Sequence, residues 1–295
     1  MLWRKSTRFV VAALVLLTVI VLADRLRFLP GTTDRIASLL AWTHQTPPPP
    51  IIPANNTSPP QSDLAGDKIV VTGKQKDEDA SWITQDLPDW QNAVYSVDDP
   101  TAPLHTLTNK GREANTYLTY LVENYDHLPS VIAFIHPHKG GYPKAWHTDA
   151  DDYSNVKSLS QLNLDFVLKS GYVNLRCIAI PGCPDEIQPF RDWDNMNRIS
   201  EHAYGQVWKG IFNNTDVPQT VGAACCAQFA VSRAQVHARP KSDYERYLRY
   251  LIDTDLSDDI IGRIYEYMWH IMFGRGPVYC PELEQCYRDV YNREP

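Results

Sequence analysis

Short apolar runs closed by turn residues alternate along the chain with longer stretches whose apolar positions recur every three to four residues. KIVVTG (68–73) is β-branched and ends in glycine, which predicts a buried strand; a polar loop follows, with Asp79 or Ser81 placed to cap a helix. NAVYSVDD (92–99) predicts a second strand, with Val94 and Ser96 on one face and Tyr95 and Val97 on the other. In TNKGREANTYLTYLVENYDHLP, Ala114, Tyr117, Leu118, Leu121 and Tyr125 fall at helical spacing, and Pro129 follows the end. The apolar run VIAFI (131–135) then predicts a third strand, which stops at His136-Pro137-His138.

The second half is richer in helix. SLSQLNLDFVLKSG predicts one helix stopped at Gly171, followed by a strand from Tyr172 to Ile178. PKSDYERYLRYLIDT sets Tyr244, Tyr247, Leu248 and Leu251 on one stripe. GRIYEYMWHIMFG sets Ile264, Tyr267, Met268 and Ile271 on another, with Arg263, Glu266 and His270 opposite them. Strands alternating with helices predict an α/β domain with a largely parallel central sheet, and in such sheets ligands bind beyond the carboxyl ends of the strands. His136 and His138 fall at such an end.

The ends of the chain bear on where it works. Residues 1–8 carry Arg4, Lys5 and Arg8, and Phe9 to Ala23 is an uncharged apolar run, the charge order of a signal anchor with a short cytosolic tail. The run is short for a membrane span, so cleavage after Val21-Leu22-Ala23, and hence secretion, is the alternative. Residues 24–66 include TPPPPIIPANNTSPPQSD, too rich in proline and polar residues to bury a core, and read as a stem. Residues 67–295 then form a single lumenal domain of a type II membrane protein in the ER or Golgi. Asn55, Asn56 and Asn213 stand in glycosylation sequons. Six cysteines in an exported chain point to disulfides. Cys177 and Cys183 flank one short turn and Cys280 and Cys286 another, predicting two local bridges; of the adjacent Cys225 and Cys226, at most one is expected to join a longer link. The net charge of −7 argues against a nucleic-acid surface.

Five ordered stretches carry a family resemblance: NKGREANTYLTYLVENYDHLP, FIHPHKGGYPKAWH, GYVNLRCIAIPGC, CCAQFAVSRAQVHARP and GRIYEYMWHIMFG. Together they resemble the fungal family of uncharacterised proteins called domain of unknown function 3431, over about residues 68–288. The N-x-G-R-E stretch is also similar to the N-x-G-R-D stretch of bacterial polysaccharide-synthesis proteins of the rhamnan type. That similarity implies a glycosyltransferase-like fold of the GT-A kind, with a nucleotide-sugar donor and a glycan or small-molecule acceptor.

Residue by residue, TNKGREA gathers Asn109, Lys110, Gly111 and Arg112 at an expected helix start near Gly111, an arrangement that holds a diphosphate; the competing reading is an ordinary start capped by Asn109. Where GT-A enzymes carry an Asp-x-Asp metal pair, this chain has His136 and His138. Two imidazoles at i and i+2 suit zinc or manganese, with His147 as a third ligand and Asp149 and Asp151 as the alternative carboxylate pair. The competing reading makes these histidines loop anchors. Gln228 and Arg233, in CCAQFAVSRAQV, and Arg263, Trp269 and His270 are the candidates for the acceptor side. Glu266 is the candidate general base, in an aromatic neighbourhood that raises a carboxyl pKa; an Arg263–Glu266 structural pair is the competing reading. A histidine-metal hydrolase or oxygenase and a non-catalytic glycan-binding module are the other function classes. No G-x-S-x-G, P-loop or G-x-G-x-x-G motif is present.

Overall fold

The computed structural model describes residues 67–192 and 198–293. The expected cytosolic tail, anchor and stem, with Asn55 and Asn56, lie outside them. No helix among the described residues is long and apolar enough to cross a membrane.

Strands β1 (Lys68–Lys74), β2 (Gln91–Ser96), β3 (Val131–Phe134), β4 (Tyr172–Asn174) and β6 (Phe229–Ser232) form one sheet in the order β2-β1-β3-β6-β4. β1 pairs in parallel with β2 and β3, while β6 runs antiparallel between β3 and β4. A mixed α/β fold with a mostly parallel central sheet is what the apolar runs predict. Both faces are apolar because both are covered. Val70, Val131, Ala133, Val173 and Ala230 point into a cluster with Trp82, Ile83, Leu159 and Val167. On the other face, Phe134 and Phe229 pack with Tyr117 and Trp269. Helix α2 (Glu113–Asn124) lies on that second face, beside α7 (Lys241–Asp253), whose predicted stripe is buried. Strands β5 (Gly222–Ala223) and β7 (Val278–Tyr279) form a small parallel pair of their own.

Three expected elements are shorter than their periodicity suggests. The helix before Gly171 is two: α3 (Asn155–Ser160) and α4 (Leu164–Ser170). Asn163 separates them by accepting from the Phe166 N–H as a cap while its amide donates to the Asp289 carbonyl. The strand after Gly171 ends at Asn174 instead of Ile178. The N–H groups of Cys177 and Ile178 donate to the Asp149 carboxylate, at 2.6 and 2.9 Å, so that backbone turns inward to a side chain and leaves the sheet. The last amphipathic stretch breaks after Glu266, giving α8 (Asp258–Glu266) and α9 (Trp269–Met272).

The cysteine pairing also differs from the local expectation. Cys177 bonds Cys286 and Cys183 bonds Cys280, so each bond joins the loop after β4 to the C-terminal segment holding α10 (Leu283–Tyr291). Cys225 and Cys226 bond one another, leaving neither for a longer link. The spacing of six within each expected pair mimics a local bridge because both segments turn, yet they turn alongside each other.

Candidate functional site

The carboxyl ends of β1, β3 and β4 and the start of β6 lie at one end of the sheet, since Phe134 pairs with Phe229 and Asn174 also pairs with Phe229. The segments just beyond, 135–138 and 226–228, therefore meet there. The His136 N–H donates to Gln228 Oε1 at 2.8 Å. Gln228 Nε2 donates to the His147 carbonyl and to Asn155 Oδ1, at 3.4 and 3.3 Å, and Asn155 Nδ2 donates to the His138 carbonyl at 2.7 Å. Two buried amides thus fix the backbone of all three histidines.

What they fix is a pair and a single. His136 Nδ1 and His147 Nδ1 stand 3.2 Å apart, with ring centroids 4.5 Å apart and near edge-to-face. His138 turns away, and its Nε2 lies 3.7 Å from Glu78 Oε1. Strand alternation would aim His136 and His138 alike, but the strand ends at Phe134, before either. Burial, and then His147, His138 and Arg112, push the His136 pKa down to about 3; burial, His138 and Arg176 push that of His147 down to about 4. Both rings are neutral at pH 7. His136 Nε2 is buried with no partner.

The alternative carboxylates are engaged elsewhere. The Asp149 side chain is almost wholly buried and holds the Cys177 and Ile178 N–H groups, with Arg176 Nε 3.8 Å away. Asp151 is exposed and faces Lys157. Among the described residues, the metal-ligating trio with donor atoms mutually within 4.8 Å is Cys225, Cys226 and Glu266. Its sulfurs are joined in a disulfide and have no thiolate to offer.

The second half of the site is acidic and basic. Gly111 and Arg112 both have positive φ, 72° and 56°, just before α2, and a Cβ on Gly111 would collide with Leu251. The helix starts at Glu113, later than expected, with Arg112 as its cap residue and without Asn109 as a side-chain cap. Asn109 is exposed. The Gly111 N–H donates to Asp258 Oδ1 at 3.1 Å, and Lys110 Nζ to the Leu256 carbonyl at 2.6 Å, so these two groups dock the turn onto the start of α8. Arg112 pairs with Asp259, and both side chains are more than half exposed.

Glu113 is the functional candidate that sequence reasoning missed. An acidic residue in a first helical turn reads as an ordinary partner of the helix dipole, which hides it. Here burial, with the Glu266 charge nearby, raises its pKa to about 7, against the opposing pull of its own backbone N–H and Arg112. Burial raises Glu266 as well, although Arg263, a hydrogen bond from the Cys226 N–H and Arg112 oppose it. Arg263 bridges Glu266 at 3.1 Å and Glu186 at 2.6 Å. Arg112 thus influences His136, Glu113 and Glu266 together, and it connects the two halves.

A family model described as a protein of unknown function (DUF3431) matches residues 69–289. The chain belongs to this family. No curated protein and no solved structure matches the chain. Within this DUF3431 domain, the remaining sequence candidates fall in different places. Arg233 sits at the opposite end of the sheet, donating to the Leu128 carbonyl and facing Asp67, so it leaves the site. Trp269 is buried against Tyr117 and Phe229 as core, although its Nε1 has no partner. His270 is buried and bonds the Pro277 carbonyl near β7; the break after Glu266 removes it from the Arg263 row. Asn213 is exposed at the end of α5 (Ile199–Phe212), in a left-handed cap.

Proposed function

We propose that this protein is a membrane-anchored lumenal glycosyltransferase of the GT-A kind, transferring a sugar from a nucleoside-diphosphate donor to a hydroxyl acceptor. The observation that carries this reading is the pair of Glu113 and Glu266 beside Arg112, beyond the carboxyl ends of parallel strands, with Glu113 raised to about 7. A base poised near neutral pH is what activation of a hydroxyl requires. The sheet order, with one antiparallel strand between two strands of the other direction, fits the same reading. Three disulfides suit an oxidising compartment, and exposed Asn213 suits a glycosylated lumenal surface.

In this reaction the acceptor oxygen forms a bond to the anomeric carbon as the bond from that carbon to the diphosphate oxygen breaks. The acceptor proton passes to a carboxylate. Glu113 suits that role better than Glu266, whose carboxylate is already held by Arg263 and by the Cys226 N–H. Glu266, beside it, helps to raise the Glu113 pKa. Arg112, half-open to solvent and ion-paired with an exposed aspartate, is placed to exchange that partner for a diphosphate.

The test is calorimetric titration of the full chain with UDP- and GDP-sugars, followed by assay of donor hydrolysis and transfer. Binding that requires the diphosphate, disappears in Arg112→Ala and survives in Glu113→Gln with turnover lost is the expected result. Absence of binding to either nucleotide series by a folded protein would overturn the reading.

A further inference from the structure

We propose that His136 and His147 form a two-imidazole site for an exchangeable divalent cation, which a bound nucleoside diphosphate completes. The inference rests on the proposed transferase reading for the diphosphate, and on the histidine geometry alone for the cation.

The Nδ1 atoms of His136 and His147 face each other at 3.2 Å. Two imidazole nitrogens bound to one zinc-sized ion, each at about 2.0–2.1 Å and with a tetrahedral to octahedral angle between them, are separated by roughly this distance. Their spacing is built in from outside the rings. Gln228 grips the His136 N–H and the His147 carbonyl, and Asn155 holds Gln228 and the His138 carbonyl, so the two ring-bearing backbones are spanned by one side chain. Gln228 and Asn155 are buried. Such a frame sets donor positions before any ligand arrives.

Two further features say what kind of site it is. Among the described residues no histidine, cysteine or carboxylate joins this pair as a third donor within 4.8 Å. His138 is directed at Glu78, and Asp149 is committed to two backbone N–H groups. A cation here therefore keeps most of its coordination for water or for a ligand. His136 Nε2 also lacks the second hydrogen bond that usually orients a ligating imidazole and strengthens its hold. A pair without a third protein ligand and without that support binds a cation weakly by itself. Phosphate oxygens are hard donors suited to manganese, and they supply the missing positions. Arg112, the residue proposed to take the diphosphate, is near enough to act electrostatically on His136. Binding of the two is then reciprocal, each tightening the other by the same factor.

The experiment follows free manganese by electron paramagnetic resonance as the full chain is added, with and without UDP. The expected result is weak binding of manganese alone, tightening at least tenfold with UDP, and loss of both in His136→Gln and in His147→Gln while each variant melts within a few degrees of the parent. Gln228→Glu, which keeps the acceptor for the His136 N–H but loses the donor to the His147 carbonyl, is the companion variant should either histidine change fail to fold; weakened manganese binding there supports the frame, and undiminished binding counts against it. No manganese binding with or without UDP, or undiminished binding in both histidine variants, overturns the site. UDP binding that is equally tight in chelator overturns the site and leaves the transferase reading standing. Manganese lost in both variants with no response to UDP supports the histidine site and counts against the transferase reading and the diphosphate's part in this one.

Discussion

Gly262 of α8 lies directly against the Arg112 side chain: a Cβ added there would come 3.0 Å from Arg112 Cδ and 3.2 Å from Cγ. The helix surface is bare where the guanidinium stem crosses it, and Arg112 itself sits at φ 56°, a backbone region that favours glycine. Arginine stands at a position whose backbone would favour glycine. Arg112→Gly is therefore expected to be neutral or to raise stability by up to about 1 kcal/mol, because relief of the positive φ offsets an exposed ion pair of little net value. The same change is expected to abolish diphosphate binding. Chemical denaturation and calorimetry on the one variant separate the two outcomes.

Gly262→Ala should leave the fold intact and move the Arg112 stem by a few tenths of an ångström. We expect nucleotide affinity to fall several-fold with the melting temperature nearly unchanged. A fall in both together would point to a helix-packing role instead.

Glu113 gives a pH dependence of defined sign. Its folded pKa, about 7, lies above the ordinary 4.5, so the native state holds the proton more tightly than the unfolded chain. Its contribution is fully present below about pH 4.5 and is lost as pH rises through about 7. Glu113→Gln removes this slope. The variant should match the parent near pH 4.5 and exceed it by about 2–3 kcal/mol at pH 8. The buried histidines work in the opposite direction, so the quantity to plot is the difference between variant and parent across pH.

The buried Asp149 carboxylate holds two backbone N–H groups where β4 leaves the sheet. Asp149→Ala strands both donors beside Arg176 and should cost about 3 kcal/mol, measurable by urea unfolding. A loss under about 1 kcal/mol would mean that water replaces the carboxylate without difficulty.

The two long disulfides are nested, and their contributions should not add simply. With Cys177–Cys286 closed, Cys183–Cys280 constrains only the short ring left between the two bonds. Removing either bond alone is expected to cost about 3 kcal/mol, and removing both about 8 kcal/mol. Cys225→Ser with Cys226→Ser relaxes almost no loop, since the residues are adjacent; its effect should fall on Glu266, which accepts from the Cys226 N–H.

The sheet and its helices were legible because burial of both faces leaves a local trace: Val70, Ala133 and Phe134 sit in apolar runs, and Tyr244, Tyr247 and Leu251 recur at helical spacing. The ends of elements were less legible. Asn163 and Asp149 stop or divert the backbone through side-chain bonds whose partners lie far away in sequence, or are not marked by any periodicity. The candidate site was half visible. His136 stood out at a strand end, and Gln228 as a polar exception in a buried run. That His147 and not His138 would face His136 depended on where β3 stops and on the Gln228 grip, both tertiary facts. Glu113 was concealed by an ordinary role, and the cysteine partners by a spacing that suits either of two connections.

Those long-range connections change what a broken backbone would look like. A single cut anywhere between residues 184 and 279 separates a fragment bearing Cys177 and Cys183 from one bearing Cys280 and Cys286. Two covalent ties still hold the fragments together, so a protease-clipped molecule keeps its mass on a non-reducing gel and falls into two bands only when thiol is added. Local bridges would have let the pieces part at once.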